Sequence, residues 1–295
     1  LVFIVCQLIR VFEPLYLNIT SGYWGSSTHL GGGEFAQLLS GAPSDVINPN
    51  ELGFLIVTVL PFLYYFLFNG KFKSKLLFLL LIPPLFYALV LTMSRGAILA
   101  LLVVCWIIFK SANYKALLVT AFIGIAIAAW SVMSDIQKDR YLSLIDSDTA
   151  SSATVDGRFS GMANEFVLGM TSRPILGNGL GTTAEAKFNT WGKGKASHNL
   201  YAELLIEIGL VGGIIFLLFI TSIWRQLKLL TLKLNSVKNV DTFWQSLNLS
   251  MFSIFWMYAV YSINYYGLSQ YYWYMFGGLV VSFRRIVERE QKTNA

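Results

Sequence analysis

The sequence predicts an all-α integral membrane protein: a polytopic helical bundle with about seven complete transmembrane helices, an N-terminal remnant of another, and one long extracytoplasmic loop. Three observations point there. The chain is 55% hydrophobic and only 13% charged, with mean hydropathy +0.59, a balance that excludes an ordinary soluble domain. Apolar runs recur at about the twenty-residue length that crosses the hydrocarbon of a bilayer. Basic residues gather in alternate connections, as the positive-inside rule requires.

The chain opens in an apolar stretch, Leu1–Ile9, with no charged leader region or cleavage site, and it reads as the end of a helix whose start lies earlier. Full spans are expected near residues 51–69, 76–94, 116–132, 202–223 and 243–263, with shorter ones near 96–109 and 269–283. "NPN" at Asn48–Asn50 reads as a turn and helix cap, with Asn50 accepting from the N–H groups that open the helix at Glu51. Pro83 and Pro84 fall inside the second span and should kink it. Cys6 and Cys105 both lie in apolar runs and read as packing residues.

The charges orient the bundle. Lys71, Lys73, Lys75, Lys110, Lys115, Arg225, Lys228, Lys233, Lys238, Arg284, Arg285, Arg289 and Lys292 fall in alternate connections, which are therefore cytoplasmic. The net charge of +6 belongs to this asymmetry and not to nucleic-acid binding. Segments 11–50 and 133–201 and the turns near Arg95 and Asn264 then face outward.

The long loop, residues 133–201, lies within a single membrane domain, 1–295, and is too long to be a bare connector. "SLIDSDTASSATVDG" reads as a flexible polar segment, and its Asp146 and Asp148 as solvated loop acids. Phe159, Met162, Phe166 and Met170 follow at helical spacing, a pattern suited to an amphipathic helix on the membrane surface or over a cavity.

Chemistry is expected on the outward face. Arg95 stands between two apolar spans, where a guanidinium either snorkels from a turn or marks a substrate path. Arg158 and Arg173 precede "PILGNGLG", whose Gly177, Gly179 and Gly181 could bring backbone N–H groups close to an anion while arginine forks bind phosphate. Together they suggest a diphosphate site. His198 and Asn199 stand before the next apolar helix, with Glu203 in its first turn and Glu207 deeper. A lone histidine there is as readily a cap or interfacial residue, and His29 in the glycine-rich segment takes that reading.

The order of these motifs, "NPN", "SRGA", "GR", "P-x-x-G-x-G-x-G", then "HN" before "E-x-G-x-x-G", resembles the O-antigen ligase and O-antigen polymerase superfamily from Asn48 to about Ile220. The resemblance implies a GT-C-like glycosyltransferase of the inner membrane that transfers a glycan from undecaprenyl diphosphate, at the periplasmic face, to a hydroxyl of a glycan or lipid A-core acceptor. Arginines at the positions of Arg95 and Arg158 would hold the diphosphate, and the histidine at His198 would stand at the reaction centre as general base or as a group orienting the hydroxyl. Arg173, the three glycines, Asn199 and Glu203 would line the substrate site. No cofactor, nucleotide sugar or divalent metal is implied, and the partners are the lipid-linked donor, the acceptor and membrane lipids, with no nucleic acid. A family of ten or more spans also implies a further N-terminal part. Other readings stay open: a protein O-oligosaccharyltransferase, a non-enzymatic carrier of polysaccharide or lipid-linked glycan, or an accessory partner in glycan assembly.

Overall fold

A computed structural model describes residues 2–293 apart from 32–33, 113, 143–151, 195–196, 198, 237–240, 266–267 and 269. Two compact units divide the chain, Leu1–Val155 and Asp156–Ala295.

The first unit contains α1 (Val2–Ser21), a two-stranded antiparallel hairpin of β1 (Gly25–Gly31) and β2 (Glu34–Leu39), α2 (Pro49–Phe62) continuing as a π-helical turn over Leu63–Phe68, α3 (Phe72–Thr92), α4 (Arg95–Ser111), α5 (Lys115–Val132) and α6 (Asp135–Leu142). The opening helix runs on past Ile9 through Pro14 to Ser21, longer than the apolar run predicts. Arg10, which interrupts that run, is matched by a two-pronged ion pair with Asp45 at 2.6 and 2.8 Å, so its charge does not end the helix. The glycine-rich segment holds the hairpin, with Ser26 opposite Leu38 and Thr28 opposite Ala36.

Burial ranks the helices of this unit. Along Pro49–Phe68 the most apolar window is 78% buried, against 22% for α1 and 33% for α3, so α2 is the central helix and the others turn a side outward. Among apolar helices in lipid, association rests on close packing rather than on water exclusion. Gly53 supplies it: a Cβ there would lie 2.6 Å from that of Ala97 on α4. Exposed Leu76, Leu79 and Leu80 on α3, and Leu117, Ile123 and Ile127 on α5, suit hydrocarbon and would be costly in water. The helix of α3 continues through Pro83 and Pro84.

The second unit contains α7 (Ser152–Thr171), whose first residues precede the division, α8 (Thr183–Trp191), α9 (Leu200–Ser236), α10 (Thr242–Tyr261) and α11 (Tyr272–Thr293). The amphipathic helix forms, but it begins at Ser152, inside the segment expected to be flexible. Its buried stripe is Glu165, Leu168 and Gly169, not Met162, Phe166 and Met170; Met170 is exposed. Leu168 packs with Ala186 of α8 and Ile206 of α9. Asp146 and Asp148 lie outside the described residues.

Every run expected to span lies in a helix, and four helices among the described residues are long and apolar enough to cross a membrane: Val2–Ser21, Pro49–Phe68, Phe72–Thr92 and Leu200–Ser236. The protein is thus a helical membrane protein. The other expected spans differ for local reasons. The helix of α4 has 17 residues, the apolar helix Lys115–Ser131 of α5 is also short, α10 carries Gln245, Asn248, Ser250 and Ser253, and α11 ends in a charged half. In α9 the backbone leaves helical geometry at Gly209, with φ 63° and ψ −166°. The part beyond it, 210–236, is about 40 Å long at 1.5 Å per residue, longer than the hydrocarbon layer of about 30 Å.

Candidate active site

In the first unit the polar corner is built on two helix starts. Asn48, not Asn50, caps α2: its Oδ1 accepts from the Glu51 N–H at 3.0 Å, while Glu51 Oε2 accepts from the Asn48 N–H at 2.9 Å. Pro49 explains the choice, because proline favours the first helical position and leaves the residue before it as the cap. Asn50 is released for another contact, and its Oδ1 accepts from Ser94 Oγ at 2.9 Å. Ser94 in turn caps α4 through the Ala97 N–H at 3.2 Å. Thr92 Oγ1 accepts from the Ser94 N–H at 3.2 Å, and between them Met93 adopts a left-handed φ of 49°. The hairpin covers this corner, with Ala36 and Leu38 packed on Met93.

Arg95 is the first residue of α4 and only 5% exposed. Burial removes the snorkelling alternative. A cation at a helix N-terminus is also opposite to what the helix dipole favours, so the helix itself gains nothing from it. A permanently charged planar fork there suits a bidentate anion.

In the second unit the glycine-rich loop meets the break in α9, and the two are interlocked. The Asn178 N–H donates to Ile206 O at 2.8 Å and the Gly179 N–H to Glu207 O at 2.9 Å; in return Leu210 N–H reaches Pro174 O at 2.8 Å and Val211 N–H reaches Ile175 O at 3.2 Å. Gly177 and Gly209 allow the backbones to touch. A Cβ on Gly177 would lie 2.3 Å from Glu207 O, and one on Gly209 would lie 2.5 Å from Ile175 O. Both hold positive φ, as do Gly179 and Gly181.

This loop does cradle an anion, and the anion is the chain's own Glu207. Its Oε2 accepts from the Gly181 N–H at 2.9 Å. Its Oε1 accepts from Thr183 Oγ at 2.7 Å and the Thr183 N–H at 3.3 Å, at the first turn of α8. A carboxylate there satisfies donors that the helix leaves unpaired and complements its dipole. The N–H groups expected to meet a ligand are therefore engaged within the protein, that of Gly177 with Arg173 O at 2.9 Å. Arg173 itself is exposed.

The start of α9 is fixed from three sides. Asn199, 3% exposed, caps it through Oδ1 and the Ala202 N–H at 3.0 Å. Its Nδ2 donates to Ile263 O at 2.8 Å and lies 2.9 Å from Met162 Sδ. The Leu200 N–H donates to Ser262 O at 2.9 Å, and Glu203 Oε2 accepts from the Leu268 N–H at 3.0 Å. Ser197 Oγ donates to Glu165 Oε2 at 2.6 Å and accepts from the Asn199 N–H at 3.1 Å. The other oxygen of Glu165 pairs with Lys187 of α8, and both side chains are largely buried. His198 lies outside the described residues, between two residues locked in this way. Of Arg158 the helical backbone of α7 is described and the side chain is not.

The structure thus brings Asn199, Glu203 and the glycines, through Glu207, onto the two ends of one short helical piece, 200–208. Arg95 belongs to the first unit. Sequence reasoning missed Glu165, Lys187 and Ser197. No local signal marked them: the apolar stripe read from the sequence, Phe159, Met162, Phe166 and Met170, leaves Glu165 on what looks like the polar face.

Residues 76–217 match the family model described as O-antigen ligase, and the match contains Arg95, Arg158, Arg173, the three glycines, His198, Asn199, Glu203 and Glu207. No curated protein matches the chain. Over residues 76–217, just under half of its length, the chain is thus similar to the O-antigen ligase family.

Proposed function

We propose that this protein transfers a glycan from undecaprenyl diphosphate to a hydroxyl of a surface-polysaccharide acceptor, a growing glycan or a lipid A core, as a ligase or polymerase. The observation that carries the reading is the family match over residues 76–217, which encloses every residue assigned a role. The protein sits in the inner membrane with its basic turns cytoplasmic and its chemistry at the periplasmic face, in a GT-C-like bundle.

The acceptor oxygen attacks the anomeric carbon, the bond from that carbon to the diphosphate oxygen breaks, and the electron pair leaves with the diphosphate. Negative charge grows on the leaving group, and fixed cations aimed at it lower the barrier most. Arg95 and Arg158 are assigned to that task, with Arg173 assisting from an exposed position. The proton of the hydroxyl passes to His198, whose ordinary pKa of roughly 6.5 suits a base at neutral pH. Asn199, Glu203 and the glycines hold the backbone on which His198 stands, the glycines by way of Glu207. The reading needs neither a metal nor a nucleotide sugar.

The test is deletion of the gene in its host, with surface glycolipids resolved on a gel beside strains rescued by wild type, His198→Ala and Arg158→Lys. Single repeat units on the acceptor identify a polymerase, and long chains stranded on the carrier identify a ligase. His198→Ala should lower transfer by about 10²–10⁴-fold, and Arg158→Lys, which keeps the charge and loses the fork, should weaken donor use. An unchanged ladder in the deletion strain would overturn the assignment, and wild-type transfer by His198→Ala would remove the base.

A further inference from the structure

The far end of α4 from Arg95 carries a second feature that the transfer reaction does not use. A cleft of about 710 Å³ lies among α2, α3, α4 and α5, and its walls are hydrocarbon and aromatic rings. Two turns frame it, "NGKFKSK" at 69–75 and "KSANYK" at 110–115, with Lys71, Lys73, Lys75, Lys110 and Lys115 and no acidic residue. Phe68 precedes the first turn, Phe109 and Leu117 flank the second, and all three line the cleft, so both turns stand at one end of it.

The lysines nearest the cleft are held in place. Lys110 Nζ lies 5.0 Å from the ring centre of Trp106, and Lys115 Nζ lies 5.5 Å from that of Phe109. Both rings line the cleft, and cation–π contact keeps each ammonium over its face. The result is an apolar slot with positive charge fixed at its mouth.

We propose that this slot is a binding site for an anionic glycerophospholipid of the surrounding leaflet, with an acyl chain in the cleft and the headgroup phosphate on Lys110 and Lys115. Inside a bilayer any apolar cleft fills with hydrocarbon, so the walls alone select nothing. The lysines select, because a zwitterionic headgroup returns a positive charge to the same place. Basic pockets between helices at a membrane surface bind anionic headgroups, and each lysine is worth roughly a fivefold gain.

The full-length protein, reconstituted in nanodiscs of equal phosphatidylglycerol and phosphatidylcholine with matched acyl chains, is released and weighed by native mass spectrometry. Phosphatidylglycerol should be retained several-fold over phosphatidylcholine. The pair Lys110→Gln and Lys115→Gln, both exposed, should bring the two lipids close to equal retention. Ala121→Trp, which fills the cleft, should reduce retention of both lipids. Glycerophosphoglycerol, the headgroup without chains, should not compete. Equal retention of the two lipids by wild type, an unchanged preference in the double variant, or displacement by the chain-free headgroup would each overturn the proposal.

Discussion

The two polar corners of the molecule use the same device with opposite chemistry. In the first unit, α4 begins at Ser94, and the groups that fix it, Asn50, Thr92 and Ser94, are neutral. A buried arginine follows at once. In the second unit, the pieces around α9 are fixed by three buried carboxylates, Glu165, Glu203 and Glu207. Backbone donors that resemble a phosphate cradle are already engaged, that of Gly181 by the Glu207 carboxylate and those of Gly177, Asn178 and Gly179 by backbone carbonyls. The difference teaches that glycine spacing alone cannot tell a ligand-binding loop from one that binds its own protein. If an anionic donor is bound, guanidinium groups must hold it, and the glycine loop serves by keeping the start of α9 in place.

That contrast can be broken at its strongest point by Glu165→Ala, which removes the buried ion pair with Lys187 and should cost about 3–5 kcal/mol. Thermal unfolding in detergent checks it, and adding Lys187→Met should restore much of the loss; no recovery would mean that the pair is not coupled. Next, Arg95→Lys should lower transfer by about 10²–10³-fold, the usual loss for one charge-stabilising donor, with little change in unfolding temperature. A stability loss that accounts for the whole drop would return Arg95 to a structural role. Gly181→Ala sharpens the division between loop and cation. Its φ of 76° disfavours a side chain by roughly 1–2 kcal/mol, yet nothing lies within 4 Å of the added carbon. Stability should fall while donor affinity holds; a donor defect as large as that of Arg158→Lys would restore the phosphate cradle. The smallest effect is expected for Asn50→Ala, which removes one hydrogen bond to Ser94 but leaves the cap on Ala97, at about 1 kcal/mol. A change near zero would show that Ser94 needs no help from α2.

Periodicity and apolar length made the helices legible, with bounds close to the expected ones for α2 with its π-helical turn, α3, α4, α5 and α10, while α9 and α11 run ten or more residues past the expected ends. What stayed hidden depends on partners distant in sequence. Arg10 reads as an interruption of the first apolar run until Asp45 is placed beside it. The hairpin escapes because Ser26, Ser27 and Thr28 show no apolar alternation on β1, and on β2 Leu39 is buried beside Leu38, which breaks the alternation of Ala36 and Leu38. The residues "E-x-G" were readable, but Glu207 looked like a deep acid without a purpose because its donors lie 24 and 26 positions earlier in the chain. At "NPN" the correct reading was local and available: proline at the first helical position makes Asn48 the cap.

The clasp between the glycine loop and the break in α9 also dictates an order of assembly. Ribosomes deliver the loop first, yet its N–H groups at 178, 179 and 181 have no acceptors until residues 206 and 207 have been made. The carbonyls of Pro174 and Ile175 wait further, for the amides of residues 210 and 211. Loop closure consequently waits for the first turns of α9 and the residues past its break. Until translation passes Val211, the growing protein carries this segment open, and that interval is when a protease or chaperone would find it.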